Sequence, residues 1–482
     1  MKQKMYLKTI WLEIHIKLAS PNKIFCQCKN EQNFDTLIPN TNICPVCTGQ
    51  PGALPTLSKE VLELSLKLWK ALNCRVNRRS HFDRKSYFYT DLPMWYQITQ
   101  QYEPTNVDWK VSFFVNNYEE ERTVRIENAH MECDTAKMIH NGWAALVDFN
   151  RAGTPLLEIV TGPDFHDEEE VIEFLKELQR IARYNHISDA DMDKWQMRVD
   201  VNISLRKSED SPYGKRTELK WVNSFSMIRR WIAYEYERQS KLLDEWKENE
   251  QQTRMWNDAE WVSKLMRSKE DALDYRYFPE PDMPELVLSD DQLNWLNWQE
   301  LVIPHQIIKK FKQEYWFNKE YINWLINDQE VLDYFMSLVD LWLDPKITAK
   351  RIVWPIAAYM KENFVWINEL KFDKEKFVEF LKVAIEWKIM DNQLKVVMDE
   401  MLLSWKKTQE IIDEKWFNTQ GMDDNELENI VQSVINENPA IVEQYKWWKT
   451  TTLGFFVWQV MKKTAWKANP KVVWDVVTKL LN

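Results

Sequence analysis

The chain has 482 residues, of which 45% are hydrophobic and 28% are charged, and its formal net charge is −11. This composition is typical of a folded protein with two or three domains, and no apolar run is long enough to span a membrane. The net negative charge argues against a protein that coats nucleic acid with its whole surface, because phosphate binding requires a cationic surface. Any contact with nucleic acid must therefore be local. We see no secretory signal among the first sixteen residues and expect a cytoplasmic protein.

The numbers of glycine and tryptophan residues are unusual. The chain contains 8 glycines and 26 tryptophans, whereas an average chain of this length carries about 34 glycines. Three predicted helices are each followed by a tryptophan, namely Trp387, Trp405 and Trp416. That position commonly needs a left-handed backbone, which glycine adopts without strain. We hypothesise that the gene uses UGA for glycine, as some bacteria do, and was translated as though UGA encoded tryptophan. The alternative is a tryptophan-rich protein with large aromatic surfaces.

The main change in predicted secondary structure falls near residue 288. Residues 1–288 are rich in predicted strands with interspersed helices, whereas the residues from about 290 onward are predicted to be almost entirely helical. Within the first part, helices are predicted at residues 58–72, 168–184 and 226–249. A basic terminal unit begins near residue 410. This organisation predicts an α+β protein with an antiparallel sheet in its N-terminal part.

Two predicted strands carry polar residues on one face. Residues 12–18 alternate strictly, which places Glu13, His15 and Lys17 on the face opposite four aliphatic residues. Residues 197–206 alternate in the same way, with Asp200 and Asn202 pointing away from the core. Residues 216–220 are predicted to return as the second strand of a hairpin. We expect the polar faces of these strands to meet.

Four cysteines form two close pairs, Cys26 with Cys28 and Cys44 with Cys47. This spacing is typical of a four-thiolate zinc site, in which two short loops enclose a tetrahedral metal ion. Disulfide bonds are the alternative, but nothing in the sequence suggests export. We predict structural Zn²⁺, because four protein ligands leave no open position for catalysis.

Acidic residues recur on the strand-like segments of the N-terminal part. Together with one histidine and one amide they form a candidate site, which comprises Glu13, His15, Glu132, Glu158, Asp200, Asn202 and Glu218. Carboxylates gathered on one sheet face suit Mg²⁺ and, through it, the phosphates of a nucleotide. A solvated polar face is the alternative from spacing alone. The sequence has no phosphate-binding loop or dinucleotide fingerprint, so no motif independently indicates ATP.

Eight segments contain long strings of specific residues, namely residues 12–15, 40–52, 82–89, 96–100, 150–160, 223–225, 274–282 and 454–461. Taken together, they resemble the B subunit of the bacterial glutamyl/aspartyl-tRNA amidotransferases, and the match runs essentially from end to end. Eight tryptophans stand where that family's pattern has glycine: Trp11, Trp95, Trp195, Trp387, Trp405, Trp416, Trp458 and Trp466. This agreement supports the hypothesis of a reassigned UGA codon.

The resemblance implies a cradle-shaped N-terminal domain (residues 1–288), a helical domain (289–409) and a C-terminal helical tail domain (410–482). It also implies ATP-dependent conversion of Glu-tRNA(Gln) to Gln-tRNA(Gln), often together with Asp-tRNA(Asn) to Asn-tRNA(Asn). In this family the B subunit phosphorylates the side-chain carboxylate of the misacylated tRNA. An amidase A subunit supplies ammonia from glutamine, and a small C subunit completes the heterotrimer. The sequence does not establish which of the two tRNAs is the substrate.

Residue roles also follow from the resemblance at matching positions. It implies that the metal ions and the ammonia path are surrounded by Glu13, His15, Glu132, Glu158 and Glu218. The first four of these are the implied Mg²⁺ ligands, and Asp200 and Asn202 support them. Candidates for contacts with phosphate or with the aminoacyl end of the tRNA are Lys85, Tyr87 and Arg151.

The C-terminal residues 445–482 contain seven lysines and one acidic residue. From charge alone, a solvated helical face is favoured. The resemblance instead implies a domain that grips the outer elbow of tRNA, a task of shape and phosphate recognition that suits lysines. We therefore predict tRNA contacts by Lys449, Lys462, Lys463 and Lys467.

Two alternatives remain open at this stage. Cys133 stands where the family pattern more often has a second glutamate, so a metal ligand or proton carrier is missing unless Glu132 or Asp134 suffices. This departure motivates a catalytically inactive tRNA-binding scaffold. The other alternative is an archaeal-type B-like subunit that serves only Glu-tRNA(Gln), although such proteins carry an inserted domain for which this chain has no room.

Overall fold

The computed structural model describes residues 6–31, 33–257, 260–268, 275–370, 373–386, 389, 391–404, 406–415, 417, 424–446, 453–464, 468 and 470–481. The chain divides into two compact units, residues 1–309 and 310–482. The domain boundaries predicted at residues 288 and 409 remain predictions. Trp387, Trp405, Trp416 and Trp466, to which the UGA hypothesis applies, lie outside the described residues.

The first unit is built around β-strands. These are β1 (Leu7–Lys17), β2 (Arg75–Val76), β3 (Arg79–Ser80), β4 (Asp83–Ser86), β5 (Tyr96–Thr99), β6 (Asn106–Val115), β7 (Glu120–Cys133), β8 (Lys137–Asn141), β9 (Ala144–Asp148), β10 (Pro155–Thr161), β11 (Met197–Arg206), β12 (Thr217–Val222), β13 (Gln252–Asn257), β14 (Val262–Ser268), β15 (Phe278–Pro279) and β16 (Leu286–Val287).

Helices accompany these strands and make up the second unit. In the first unit they are α1 (Lys59–Ala71), α2 (Glu168–Tyr184), α3 (Phe225–Asp244) and α4 (Asp290–Trp298), and α5 (Pro304–Gln313) follows. The second unit contains α6 (Lys319–Ile326), α7 (Gln329–Val339), α8 (Pro345–Arg351), α9 (Ala357–Asn363), α10 (Lys374–Ile385), α11 (Asp391–Leu403), α12 (Thr408–Glu414), α13 (Asp424–Glu437), α14 (Pro439–Lys446), α15 (Leu453–Lys463) and α16 (Pro470–Leu481).

Nine strands form one large sheet in the order β14-β13-β12-β11-β1-β10-β7-β6-β2. Strand β1 lies near the middle, where it pairs antiparallel with β10 on one side and with β11 on the other. Only the β12–β13 pair among the described neighbours is parallel. The α+β architecture with an antiparallel-dominated sheet is thereby confirmed.

One face of this sheet forms the hydrophobic core of the unit. Leu12, Ile14 and Ile16 of β1 are fully buried in a cluster that also contains side chains of α1, α2 and α3. Helix α2 has the bounds predicted from the sequence and begins at the capping side chain of Asp167. Helix α3 ends at Asp244, earlier than the predicted residue 249. Because successive side chains of a strand point to opposite faces, the polar residues between the aliphatic ones share the other face.

That polar face is more protected than the sequence alone suggests. Asp200, Asn202 and Ser204 alternate with core residues of β11 as predicted, yet all three are buried instead of facing solvent. Asn202 lies between Trp11 and Glu218 in the sheet register, so its neighbours on both sides cover it. Burial makes unpaired charges costly, so the carboxylates on this face require partners such as cationic side chains, hydrogen-bond donors or a metal ion.

The second unit is helical throughout its described part, as predicted. Its C-terminal helices α13, α15 and α16 share a cluster of buried residues that are mostly aliphatic and include Phe456. A π-helical turn at Ile352–Ile356 joins α8 to α9 and accommodates Pro355, which has no backbone N–H to donate. None of the described helices combines the length and the apolar composition that crossing a membrane requires.

Candidate active site

The centre of the polar face is a histidine held between two glutamates, which we name the histidine cluster. His15 Nε2 lies 3.1 Å from Glu132 Oε1 and 3.2 Å from Glu158 Oε2. The sheet register produces this contact, because His15 of β1 is paired directly with Glu158 of β10. Strand β7 lies beyond β10 and contributes Glu132. Three segments that are distant in sequence therefore meet at one point.

The charges of the histidine cluster stabilise one another. Burial lowers the pKa of His15, but the hydrogen bonds to Glu132 and Glu158 more than compensate and raise this pKa to about 10. Burial also opposes ionisation of Glu158, yet the nearby His130, His15 and Lys85 hold the pKa of Glu158 well below its usual range. At neutral pH the cluster therefore contains an imidazolium ion and ionised carboxylate.

Lys85 and Tyr87, two of the predicted contact residues, lie beside this cluster. Burial lowers the pKa of Lys85, but the charges of Glu132 and Glu158 outweigh it and raise this pKa above the ordinary lysine value. The Lys85 ammonium lies 5.1 Å from the ring centre of Tyr275, and the Tyr87 ring packs edge-on against the same ring. Tyrosines thus form one wall around a partly buried cation.

Sequence reasoning missed His130 as a member of this site. Its Nε2 atom lies 3.7 Å from Glu158 Oε2, and its Nδ1 atom is 3.1 Å from Asn128 Oδ1. His130 precedes Glu132 by two positions on β7, so the same strand alternation that identified His15 places it on the polar face.

A second group of acidic side chains, which we name the lysine cluster, lies on the other side of β1. It consists of Glu13, Asp200 and Glu218 around Lys220, whose Nζ atom is 2.6 Å from Asp200 Oδ2 and 3.0 Å from Glu218 Oε1. Asn202 Nδ2 donates to Glu13 Oε1 at 3.3 Å. Lys220 had no predicted role, although it follows Glu218 by two positions on the same strand.

The two clusters differ in their electrostatics. Burial and the charges of Glu158 and Glu218 raise the pKa of Glu13. Burial opposes ionisation of Glu218 as well, but Lys220 and the hydroxyl of Thr253 lower its pKa. The sequence grouped Glu13 with the histidine cluster as metal ligands, whereas the structure brings Glu13 together with Asp200 and Glu218.

The residues present fit a hard divalent cation. In each cluster, three ligand atoms lie within 4.8 Å of one another. Two oxygen atoms of the polar face, Glu132 Oε2 and Asn202 Oδ1, are buried and accept no hydrogen bond from any described residue. Buried acceptors without partners are costly, and oxygen ligands are those that Mg²⁺ prefers. Each cluster also contains a cation, Lys220 in one and protonated His15 in the other. The histidine cluster brings together three of the four predicted Mg²⁺ ligands, and we take it as the candidate Mg²⁺ site, in which His15 must lose its proton before it can bind the ion.

Binding of Mg²⁺ to the histidine cluster is expected to tighten as pH rises. The pKa of His15 in the folded protein is about 10, above the ordinary histidine value of 6.5. The positive charge of His15 therefore stabilises the metal-free fold fully below pH 6.5, and this stabilisation is lost as the pH rises through about 10. A metal ligand must be unprotonated, so each Mg²⁺ ion that binds displaces one proton from His15. The affinity of the cluster for Mg²⁺ should therefore rise about tenfold per pH unit between about pH 7 and pH 9. Calorimetric titration at several pH values measures this slope. The slope should vanish in His15→Gln, and a pH-independent affinity of the unaltered protein would exclude His15 as a ligand.

Cys133 lies outside the site, which corrects the expectation that it removes a ligand. Its side chain is buried in the hydrophobic core, and its Sγ atom lies 3.7 Å from the carbonyl oxygen of Ile98. Adjacent residues of β7 point to opposite faces, so Glu132 reaches His15 while Cys133 cannot. The side chain at position 133 therefore does not support an inactive scaffold.

A basic cavity of about 310 Å³ adjoins the histidine cluster. Arg198, which lines it, is the direct cross-strand neighbour of His15. Arg198 Nη2 lies 3.3 Å and Arg151 Nε 3.6 Å from Asp134 Oδ2, so one carboxylate is shared by two guanidinium groups. Further cations in the lining are Lys17, Lys137 and Lys194.

Arg151 lies at the wall of this cationic cavity, and its role in contacting phosphate or the aminoacyl end of the tRNA stays a prediction. Its guanidinium also donates to the carbonyl oxygens of Thr135 and Ala136 at 3.0 and 2.8 Å, which fixes its plane. Five cations face two carboxylates in the lining. The excess positive charge suits a phosphate-bearing ligand.

The four predicted zinc ligands converge at one point. Their sulfur atoms all lie within 4.8 Å of one another, and none of the four cysteines is in a disulfide bond. The backbone N–H of Cys44 donates to Cys47 Sγ at 3.2 Å, and the backbone N–H of Lys23 donates to the carbonyl oxygen of Cys28 at 2.9 Å. These bonds curl each pair into a short loop. The arrangement fits a tetrahedral thiolate site, as the spacing predicts.

The predicted tRNA-binding lysines are placed only in part. Lys449 and Lys467 lie outside the described residues. Lys462 and Lys463 end helix α15, where Lys462 lies 5.3 Å from the ring centre of Trp458 and Lys463 pairs with Glu437 of α13. A role in tRNA binding stays a prediction.

Two family models together match most of the chain. A family model described as the GatB/GatE catalytic domain matches residues 8–294, and one described as the GatB domain matches residues 333–481. The chain is also similar to proteins named as the B subunit of aspartyl/glutamyl-tRNA(Asn/Gln) amidotransferase. The protein of Symbiobacterium thermophilum is 39% identical over 98% of this chain and 97% of its own length. That of Thermotoga maritima is 37% identical over 99% of each.

Proposed function

The chain belongs to the family of aspartyl/glutamyl-tRNA(Asn/Gln) amidotransferase B subunits, and from this premise we propose that it amidates tRNA-linked glutamate or aspartate with ATP. The observation that carries the proposal is the histidine cluster beside the basic cavity. A carboxylate pair that could hold Mg²⁺, next to an excess of cations, suits the transfer of a phosphoryl group to a carboxylate.

The proposed reaction has two steps. A side-chain carboxylate oxygen of the tRNA-linked amino acid attacks the terminal phosphorus of ATP, ADP leaves, and an acyl phosphate forms. The nitrogen of ammonia then attacks the acyl carbon, inorganic phosphate leaves, and a base takes a proton from the nitrogen. Phosphorylation thus converts a poor leaving oxygen into a good one.

The described residues support distinct tasks in these steps. Glu132 and Glu158, with His15 after loss of its proton, would hold Mg²⁺, which supplies charge neutralisation at the phosphoryl oxygens. Arg198 and Arg151 line the cavity where phosphate oxygens can be held by charge-assisted hydrogen bonds. Glu13 is the candidate proton acceptor for ammonia, because its raised pKa makes it a stronger base.

The proposed reaction requires two kinds of partner, a subunit that supplies ammonia and the misacylated tRNA. We assign ammonia release to an amidase A subunit and include a small C subunit in a heterotrimer, as the family resemblance implies. Zinc at the four cysteines would be structural.

An inactive scaffold is disfavoured by the position of Cys133 in the core. Amide formation on Glu-tRNA(Gln) by the reconstituted heterotrimer, measured with and without ATP, tests the proposal, and amidation without ATP would contradict it.

Neutralising lysines of the tail should weaken tRNA binding without affecting chemistry. The variant Lys462→Ala/Lys463→Ala/Lys467→Ala removes up to three phosphate interactions, so its log Kd should depend less steeply on log salt by roughly 0.7–0.9 for each phosphate that is no longer neutralised. Filter binding at several salt concentrations measures the slope. A matched variant at Lys361, Lys374 and Lys382 in α9 and α10 should leave it unchanged. An unaltered slope of log Kd against log salt in the tail variant would show that these lysines belong to an ordinary solvated surface and do not bind tRNA.

A further inference from the structure

Tryptophan is unusually common among the residues with left-handed backbone. Fifteen described non-glycine residues have a positive φ, and six of them are tryptophan: Trp95, Trp195, Trp246, Trp261, Trp316 and Trp342. The 17 tyrosines and 21 phenylalanines of the chain contribute one such described residue each, Tyr118 and Phe364. Aromatic bulk alone therefore does not explain the preference.

The left-handed backbone at Trp246 terminates helix α3. Trp246 has a φ of 59°, its N–H donates to the carbonyl oxygen of Leu243, and the N–H of Lys247 donates to that of Leu242. These two bonds define a helix-terminating motif whose left-handed position is usually glycine. Trp316 and Trp342 follow the ends of α5 and α7 within three residues.

The other three tryptophans stand in turns that lead into strands. Trp95 and Trp261 directly precede β5 and β14, and Trp195 lies two residues before β11. The N–H groups of Trp95 and Trp195 each close a turn onto a carbonyl oxygen three residues earlier. Such turns also favour glycine at a positive φ.

Contacts of the six indole rings offset little of the free-energy cost of a left-handed backbone at these positions. All six side chains are between 49% and 97% exposed. Some make surface contacts, such as Lys207 with Trp246 at 4.8 Å and Arg230 with Trp261 at 4.7 Å. An exposed cation–π contact stabilises a protein by less than a left-handed backbone costs a bulky residue.

We propose that these six tryptophans are glycines in the protein that the cell makes, and that the one at position 195 matters for function. Trp195 has a φ of 57° and lines the basic cavity together with Lys17 and Arg198. Glycine would remove an indole ring from this wall and widen access for a phosphate-bearing substrate. This functional consequence rests on the proposed function, whereas the identity of the six residues does not.

Mass spectrometry of the protein purified from the cells that encode it tests the proposal directly. Peptides that span positions 95, 195, 246, 261, 316 and 342 are expected to have the masses of glycine-containing sequences, and the six codons are expected to be UGA. Tryptophan masses at these positions, or UGG codons, would overturn the proposal.

Recombinant variants provide an independent test through stability. Trp246→Gly is expected to raise the unfolding midpoint by about 2–4 °C, because it relieves a strained backbone. The matched control is Trp298→Gly, since Trp298 is 84% exposed against 82% for Trp246 but has no left-handed backbone and ends helix α4. Its midpoint should stay the same or fall. Equal shifts in both variants would contradict a specific need for glycine at position 246.

The functional consequence is tested by comparing kinetics. In the reconstituted heterotrimer, Trp195→Gly is expected to lower the KM for the misacylated tRNA several-fold relative to the tryptophan form. Trp261→Gly is the control, because Trp261 has the same backbone but does not line the cavity. An equal KM for the tryptophan and glycine forms at position 195 would contradict the cavity part of the proposal.

Discussion

Replacing Glu158 with glutamine is expected to abolish ATP-dependent amidation while leaving tRNA affinity nearly unchanged. Glu158 Oε2 lies 3.2 Å from His15 and 3.7 Å from His130, so the change removes one charge from the buried centre of the proposed metal site. A loss on the order of a hundredfold or more in the amidation rate is expected, since charge stabilisation of the transferred group depends on a complete ligand set.

The matched control is Glu119→Gln, which removes the same charge from an exposed turn between β6 and β7. It should retain the full rate. Thermal unfolding of both variants establishes that Glu158→Gln is folded, and filter binding establishes that it still binds tRNA. Normal Gln-tRNA formation by the folded Glu158→Gln protein would remove this residue from the mechanism.

Loss of zinc is expected to have the largest effect on stability. Replacing Cys44 with serine removes one of four converging sulfur ligands. Structural zinc contributes several kcal/mol to folding, so the first unit should unfold roughly 10 °C lower or more. Activity per folded molecule should change little, because no open coordination position serves chemistry.

Cys74→Ser is the control for this experiment. Cys74 is partly buried against the hydrophobic core but lies outside the group of converging sulfurs. Its replacement should lower the unfolding midpoint by only a few degrees and leave one equivalent of bound zinc. Metal analysis of the folded unaltered protein without zinc would overturn the zinc assignment.

Strand alternation made part of the site predictable. The pattern of residues 12–18 placed Glu13 and His15 on the polar face, and the pattern of residues 197–206 placed Asp200 and Asn202 there. The same rule could have identified His130 and Lys220, each two positions from a predicted glutamate. It could also have shown that Cys133 points away from Glu132.

The pairing of strands could not be derived in this way. His15 meets Glu158 because β1 lies beside β10 in one particular register, although the two strands are more than 100 residues apart in the chain. Similarly, a register shift between β11 and β12 determines how Lys220 approaches Asp200. Such contacts between distant segments depend on packing of the whole sheet, which local sequence patterns do not encode.

Transfer of an oxygen atom provides the most direct test of the central claim, that this site phosphorylates the carboxylate carried by tRNA. The reconstituted heterotrimer is supplied with ATP, glutamine and Glu-tRNA(Gln) whose side-chain carboxylate carries a heavy-oxygen label, and the released inorganic phosphate is analysed by mass spectrometry. The acyl phosphate route predicts that each phosphate molecule contains one oxygen from the labelled carboxylate. Amide formation with unlabelled phosphate would contradict it.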